Sequence, residues 1–416
     1  MRKSILVGIA ALAFAGCGGH GPSALPQAAQ SAGSEFSDAQ ASPHASASQR
    51  NQYRIVTLAT LGGSAGGGNS INNRGWITGV SSLGGSSSVH ATLWRDTATV
   101  DLGTLGGANS GVEWPVKNDR GIVAGISETS TNDPLGESWS CSAFIPTNGH
   151  TCLGFVWRDG HMKPLATLGG NNAYAAGVNE RGQIVGWAEN SVHDPTCEQP
   201  AHVLQFEAVV WEPDAQRTVR ALKPFGDDPD GAATAVNDNG QIVGISGTCD
   251  QQVGRFSARH AVMWVRGVPS DLGSLGGVAW NTPTAIDAAG DVVGFSDLRG
   301  DRNGNPKFHA FFWTPAGGMV DIGTLPGDRY SEALGINDRG QVVGVSYSAG
   351  FKSSRAFVWQ SGQRLTNLNT LVGKNPAVSL LYANDVNDNG EITGGACIVS
   401  GASCSSTPAF RAVPLR

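Results

Sequence analysis

The chain has 416 residues, of which 58 are glycine, 15% are charged and 40% are hydrophobic, with a formal net charge of −6. So much glycine with so little charge excludes a helical bundle or coiled coil, and the apolar fraction is enough for a core and excludes wholesale disorder. No basic cluster interrupts the body of the chain, so a nucleic-acid groove is excluded as well.

Residues 1–16 read as a secretory signal. Arg2 and Lys3 form a positive start, and Ile5 to Phe14 a short apolar stretch. Phe14-Ala15-Gly16-Cys17 looks like a lipobox, which predicts cleavage before Cys17 and lipidation of its thiol. The alternative is plain cleavage, with Cys17 incidental and the protein secreted. Gly18 and Gly19, with no Asp after the cysteine, resemble lipoproteins sorted to the outer membrane. Residues 17–51 are rich in Gly, Ser, Ala, Pro and Gln, cannot bury much apolar surface, and are expected to form a flexible tether. The only membrane contact expected is through the lipid.

From residue 52 to 416 one motif recurs. Its clearest copy is Ile336-Asn337-Asp338-Arg339-Gly340-Gln341-Val342-Val343-Gly344, and it returns around Gly75, Gly121, Gly182, Gly240, Gly290, Gly340 and Gly390. A period near 50 residues signals a propeller or a solenoid. Each unit runs from small and β-branched residues (Ala233 to Val236) into Asn-Asp-x-Gly, then an apolar run (Gln241 to Ser246). A variable loop follows, then a run ending in Trp (His260 to Trp264), then Asp271-Leu272-Gly273-Ser274-Leu275-Gly276-Gly277. That is four short strands per unit, each bounded by turn residues. The Asn-Asp-x-Gly segments are read as hairpin turns, with Gly where positive φ is needed.

Seven units of four strands predict an all-β, seven-bladed β-propeller. The seventh unit stops after Ala409 to Val413 and lacks its fourth strand. Ile55 to Gly63 matches the fourth-strand pattern of Met319 to Gly327, so the N-terminal strand is expected to close the last blade and hide the sheet edges. Trp94, Trp157, Trp211, Trp264, Trp313 and Trp359 share one place in the third strand and are assigned to the wedges between blades. His90, His260 and His309, four residues earlier in three blades, are too widely separated to share a metal and are read as structural.

The repeated Thr-Leu-Gly-Gly, Ile-Asn-x-x-Gly-x-Ile-x-Gly and His-Ala-Phe-x-Trp (His309-Ala310-Phe311-Phe312-Trp313) resemble the HAF-repeat family of bacterial extracellular proteins. The resemblance covers residues 53 to 416 and implies secretion and a repeat fold, but no catalytic residues.

Motifs for chemistry are sparse. Gly62-Gly63-Ser64-Ala65-Gly66 fits Gly-x-Ser-x-Gly by letter only, because no helix follows it. There is no Cys-x-x-Cys and no His-Glu-x-x-His, so neither a metal site nor a cofactor is expected. Asp301, Asn303 and Asn305 faintly suggest a calcium loop, but Gly304 is misplaced for one and a polar surface loop is preferred. Six cysteines remain in an exported chain, which predicts three disulfides. Blade geometry pairs Cys141 with Cys152 and Cys397 with Cys404, leaving Cys197 with Cys249.

Length varies most between second and third strands, after Ser127 and after Glu189. The loops entering the first strands lie on that same face and carry Glu113, Trp114, Asn172, Tyr174, Trp280, Asn281, Asp328, Arg329, Tyr330, Glu332 and Tyr382. Rings beside acids and amides suit a saccharide or peptide, so this set is the candidate ligand site. The function expected is a monomeric cell-surface binding or scaffold module for glycan or protein. The alternative is a hydrolase or lyase acting on extracellular polysaccharide, for which Asp328, Arg329 and Glu332 are the nearest acid–base set.

Overall fold

Alternating small and β-branched residues between turn signals make each repeat one antiparallel sheet. The computed structural model describes residues 52–197, 199–214, 217–249, 257–300, 307–373, 377–401 and 403–415. The signal, Cys17, the tether and Asp301, Asn303 and Asn305 lie outside the described residues. Blade 1 is Gly62–Ile71, Ile77–Leu83, Val89–Arg95 and Ala98–Asp101, paired in that order. Blades 2 to 6 repeat it, with first strands Gly106–Gly111, Gly169–Val178, Asp230–Val236, Thr282–Ile286 and Tyr330–Ile336. In blade 7, Val378–Val386 and Ile392–Ser400 pair, and Ala409–Pro414 follows as the third strand.

The N-terminal strand Tyr53–Thr57 supplies the fourth, antiparallel to Ala409–Pro414, in a register running from Tyr53 opposite Pro414 to Thr57 opposite Phe410. Seven four-stranded blades therefore close into a ring, as the repeat count predicts. First strands stand innermost. The Asn-Asp-x-Gly hairpins form one face, and the entry loops with the second-to-third loops form the other.

The hairpins do more than turn. Asn72 Oδ1 accepts the N–H groups of Arg74 and Trp76, both at 3.0 Å, and Gly75 takes φ 73°, which glycine adopts at little cost. The Asn72 Nδ2 then reaches the next blade and donates to the Asn118 carbonyl. Six of the seven hairpins make this bond, at 2.8–3.1 Å. The second hairpin residue forms a parallel ring, its side chain accepting the equivalent N–H of the preceding blade. Asp119 takes Asn73, Glu180 takes Asp119, Asp238 takes Glu180, Asp338 takes Ala288, Asp388 takes Asp338, and Asn73 takes Asp388. Blade 5 departs from both rings, because Asp287 replaces the donating Asn and Ala288 replaces the accepting side chain.

Thr-Leu-Gly-Gly has its own physics. Thr104 Oγ1 donates to the Gly107 carbonyl at 2.9 Å. A Cβ on Gly107 would stand 2.4 Å from the Glu128 Cβ, so the second glycine opens the space this acid occupies. Glu128 Oε2 in turn accepts the Ala108 N–H at 3.2 Å. The third-strand tryptophans fill the inter-blade wedges, and Trp94, Trp211 and Trp264 donate their indole N–H to carbonyls of Ala59, Ala166 and Lys223, in segments that follow the preceding blade. His90 pairs with Asp101, His309 with Asp321 and His260 with Asp228, at 2.7–2.9 Å, consistent with a structural role.

All three expected disulfides are present: Cys141–Cys152, Cys197–Cys249 and Cys397–Cys404. The second joins the long loops of blades 3 and 4. No helix among the described residues is long and apolar enough to cross a membrane.

Candidate functional site

Because every first strand stands at the axis, residues at one register form a layer around it. Five residues before the first hairpin residue, the seven blades carry Gly67, Glu113, Tyr174, Ala232, Thr282, Glu332 and Tyr382. Four of the candidate residues share this register; the Glu113 charge acts on Tyr174 and Tyr382, while Glu332 is coupled to Tyr347 of the neighbouring strand.

Glu113 lies on the irregular continuation of blade 2's first strand, which Pro115 keeps out of the ladder. It keeps some exposure, no Lys or Arg among the described residues pairs with it, and burial pushes its carboxyl up to about 8. Asn69 Nδ2 donates to its Oε2 at 3.4 Å and to the Val112 carbonyl at 2.7 Å, and Asn384 Nδ2 donates to Asn69 Oδ1. The hydroxyls of Tyr174 and Tyr382 are raised by burial first and by the Glu113 charge second. Burial likewise pushes Glu332 up to about 7, against the opposing effect of Tyr347, whose hydroxyl donates to its Oε2 at 3.1 Å. Burial thus opposes ionisation of both carboxyls, and of these four residues Glu113 and Tyr382 keep some exposure while Tyr174 and Glu332 are enclosed.

The other candidates are placed elsewhere. Trp114 is 3% exposed and packs with Trp139 and Tyr174 in one apolar cluster. Trp280 is 4% exposed and meets Phe295 and Phe308 at 90° and 60°. Tyr330 stacks on Phe308 and on Phe351, with centroids 5.3 and 4.7 Å away, and those two rings are 6.3 Å from each other. Asn172 accepts the Cys152 N–H and donates to Asp133 and Glu189, and Asn281 donates to the Arg259 carbonyl and accepts from Ser296. Asp328 pairs with Arg355 at 2.8 Å while Glu332 takes Tyr347, so these two acids have separate partners; Arg329 is exposed.

Lys117 had no sequence signal, whereas the acids rimming the hairpin face are the second residues of the repeated hairpin, and only their convergence is new. Lys117 of blade 2 crosses the axis, donating to the carbonyls of Ile336 and Val386 and pairing with Asp385 at 3.2 Å, which joins blade 2 to blades 6 and 7. Beyond it, the hairpin face holds a depression of about 210 Å³ rimmed by Asp119, Glu180, Asp238, Asp338 and Asp388.

No family model matches the chain, and no curated protein matches it. Among solved structures it is similar to the polysaccharide lyase Uly1 (8% identity over 90% of this chain and 92% of that one, TM-score 0.44). It is also similar to TolB from Acinetobacter baumannii (11% identity, 82% and 80%, TM-score 0.39) and to a protein of unknown function from Dyadobacter fermentans DSM 18053 (9%, 88% and 99%, TM-score 0.40). Likeness at this level carries no argument about activity, which rests on the residues alone.

Proposed function

We propose that this is an exported propeller of the HAF-repeat kind, anchored as a monomer to the outer membrane through a lipid on Cys17, that binds an uncharged, hydrogen-bonding ligand at the inner layer of its ring. The ligand class is a glycan, or a protein segment presenting backbone amides. One observation carries this reading: Glu113, Asn69 and Asn384 are joined by hydrogen bonds between the first strands of blades 1, 2 and 7, the Tyr382 phenol feels the Glu113 charge, and burial raises the carboxyl among them to about 8. A neutral carboxyl, a phenol and two amides suit hydroxyl groups or peptide units better than they suit ions. The three disulfides support an oxidising destination.

A second reading, a polysaccharide hydrolase or lyase, is favoured by the same raised carboxyls, since Glu113 near 8 and Glu332 near 7 sit where general acids operate. One substitution separates the two. Glu113→Gln keeps a neutral hydrogen-bonding group, so on a glycan and peptide array the variant retains the binding of the tag-free domain, and loses only the decline of binding above pH 8. If Glu113→Gln instead abolishes turnover of a polysaccharide while its binding persists, the enzyme reading replaces the binding one. An array on which neither protein binds anything, with no turnover, removes both.

A further inference from the structure

The long loops of blades 2 and 3 fold against each other: Ala201 O accepts the N–H groups of Ser138 and Trp139. At their junction Glu137, Glu189 and His202 are all buried, and one ligand atom from each lies within 4.8 Å of the others. We propose that these three side chains hold a divalent metal ion of the zinc or manganese class.

The carboxylates are built as monodentate ligands. Glu137 Oε1 is fixed by the N–H groups of Val203 and Leu204 at 2.7 and 3.0 Å, which leaves Oε2 with one long contact from Asn171 Nδ2 at 3.5 Å. Glu189 Oε2 is fixed by the N–H groups of Asn171 and Asn172 and by Asn172 Nδ2, at 2.8–3.2 Å. Its Oε1 turns to Ser140 Oγ at 2.9 Å and to His202 Nε2 at 3.7 Å. In each acid, backbone amides anchor one oxygen, and in Glu189 the other is turned to Ser140 and His202, as outer-shell donors orient metal-binding carboxylates.

His202 is oriented just as firmly. Trp139 stacks on the ring at 5.2 Å and 4°, and Phe206 at 5.4 Å and 18°. Its Nδ1 lies 3.4 Å from Cys249 Sγ, so Nε2 is the nitrogen turned to the acids. The separation of 3.7 Å between Nε2 and Glu189 Oε1 is too long for a hydrogen bond. It suits two donors on one ion, because ligands about 2.1 Å from a tetrahedral metal stand about 3.4 Å apart. No Lys or Arg among the described residues pairs with either acid, so a cation at this point would offset two buried carboxylates. Two oxygens and an imidazole nitrogen favour zinc or manganese over an all-oxygen calcium site. Cys197 and Cys249 also approach His202, but they are joined as a disulfide and offer no thiolate.

The test uses the full chain with its disulfides formed, stripped with a chelator and titrated with Zn²⁺ or Mn²⁺ alone. One equivalent is expected to bind by calorimetry, with a rise in Tm that the chelator reverses. Glu189→Gln and His202→Gln should each weaken binding at least about 100-fold, beyond the loss expected for an outer-shell change. If either variant does not fold, Glu137→Gln and the wild-type titration still decide. The proposal falls if the stripped wild type takes up neither ion at millimolar concentration, or if the folded variants bind as tightly as wild type.

Discussion

Blade 5 offers a gain-of-stability test of the hairpin rings. Six hairpins pass an Asn Nδ2 bond to the next blade, and six second-position side chains accept an N–H from the preceding one; Asp287 and Ala288 interrupt both series at one hairpin. Asp287→Asn would supply a donor to the Asn337 carbonyl, on a residue 2% exposed, and would remove a carboxyl whose ionisation burial opposes. Ala288→Asn would supply an acceptor for the Asp238 N–H, as Asn73 Oδ1 does for Asp388 at 2.9 Å, without adding charge to an acidic rim. Each restored bond should contribute about 1 kcal/mol, the exposed Asp238 link somewhat less. With about 2.1 cal/mol/K of unfolding entropy per residue over about 360 residues, roughly 2 kcal/mol raises Tm by about 2–3 °C. The reverse change, Asn337→Ala, removes three bonds within the hairpin and one inter-blade bond and should cost about 3–4 kcal/mol, or about 4–5 °C. Calorimetry on wild type, both single variants and the double variant is the assay. A double variant melting at or below wild type in moderate salt would refute the view that the rings carry stability.

Three further outcomes are expected. Deleting Tyr53 to Leu61 should lower Tm by far more than a few degrees, since it removes five residue pairs with Ala409–Pro414 and the Trp94 to Ala59 bond; a truncated domain melting within a degree or two of the intact one argues against closure. Glu113 and Glu332 bind protons in the fold above the unfolded range near 4.5, so they make stability fall as pH rises from about 5 to 8 and then level off. Glu113→Gln with Glu332→Gln should flatten that stretch of a Tm–pH curve, and an unchanged slope counts against it. Trp280→Ala should cost about 3–5 kcal/mol, because the ring is enclosed by Phe295 and Phe308, and a melting temperature equal to wild type would place the ring outside the core.

The architecture was legible because each of its rules repeats: turn glycines at one period, tryptophans at one place in the third strand, and a fourth-strand pattern at the wrong end of the chain. The cysteine pairing followed from the same blade geometry. At the axis, Glu113, Tyr174, Glu332 and Tyr382 were nameable from their position before the hairpins, and their common five-residue offset was a signal available in the sequence. What could not be read was whether an entry-loop ring faces water or a neighbouring blade. Trp280 and Tyr330 have similar surroundings in sequence, and only the arrival of Phe308 and Phe351 decides their burial. Lys117 was invisible for a different reason. Two of its partners are main-chain carbonyls more than two hundred residues away, and backbone atoms leave no mark on residue identity.

The closing strand also gives the molecule a front and a back. A fourth strand runs from the hairpin face to the loop face, so Tyr53 enters at the hairpin face, where Gln52 O accepts the Leu415 N–H beside the end of the third strand. Both visible ends of the chain thus leave from the side bearing the acidic rim. Whatever precedes Gln52 therefore joins the domain on the acidic side, opposite the disulfide-stapled loops. Between the two sides, the lysine of blade 2 ties it across the axis to blades 6 and 7.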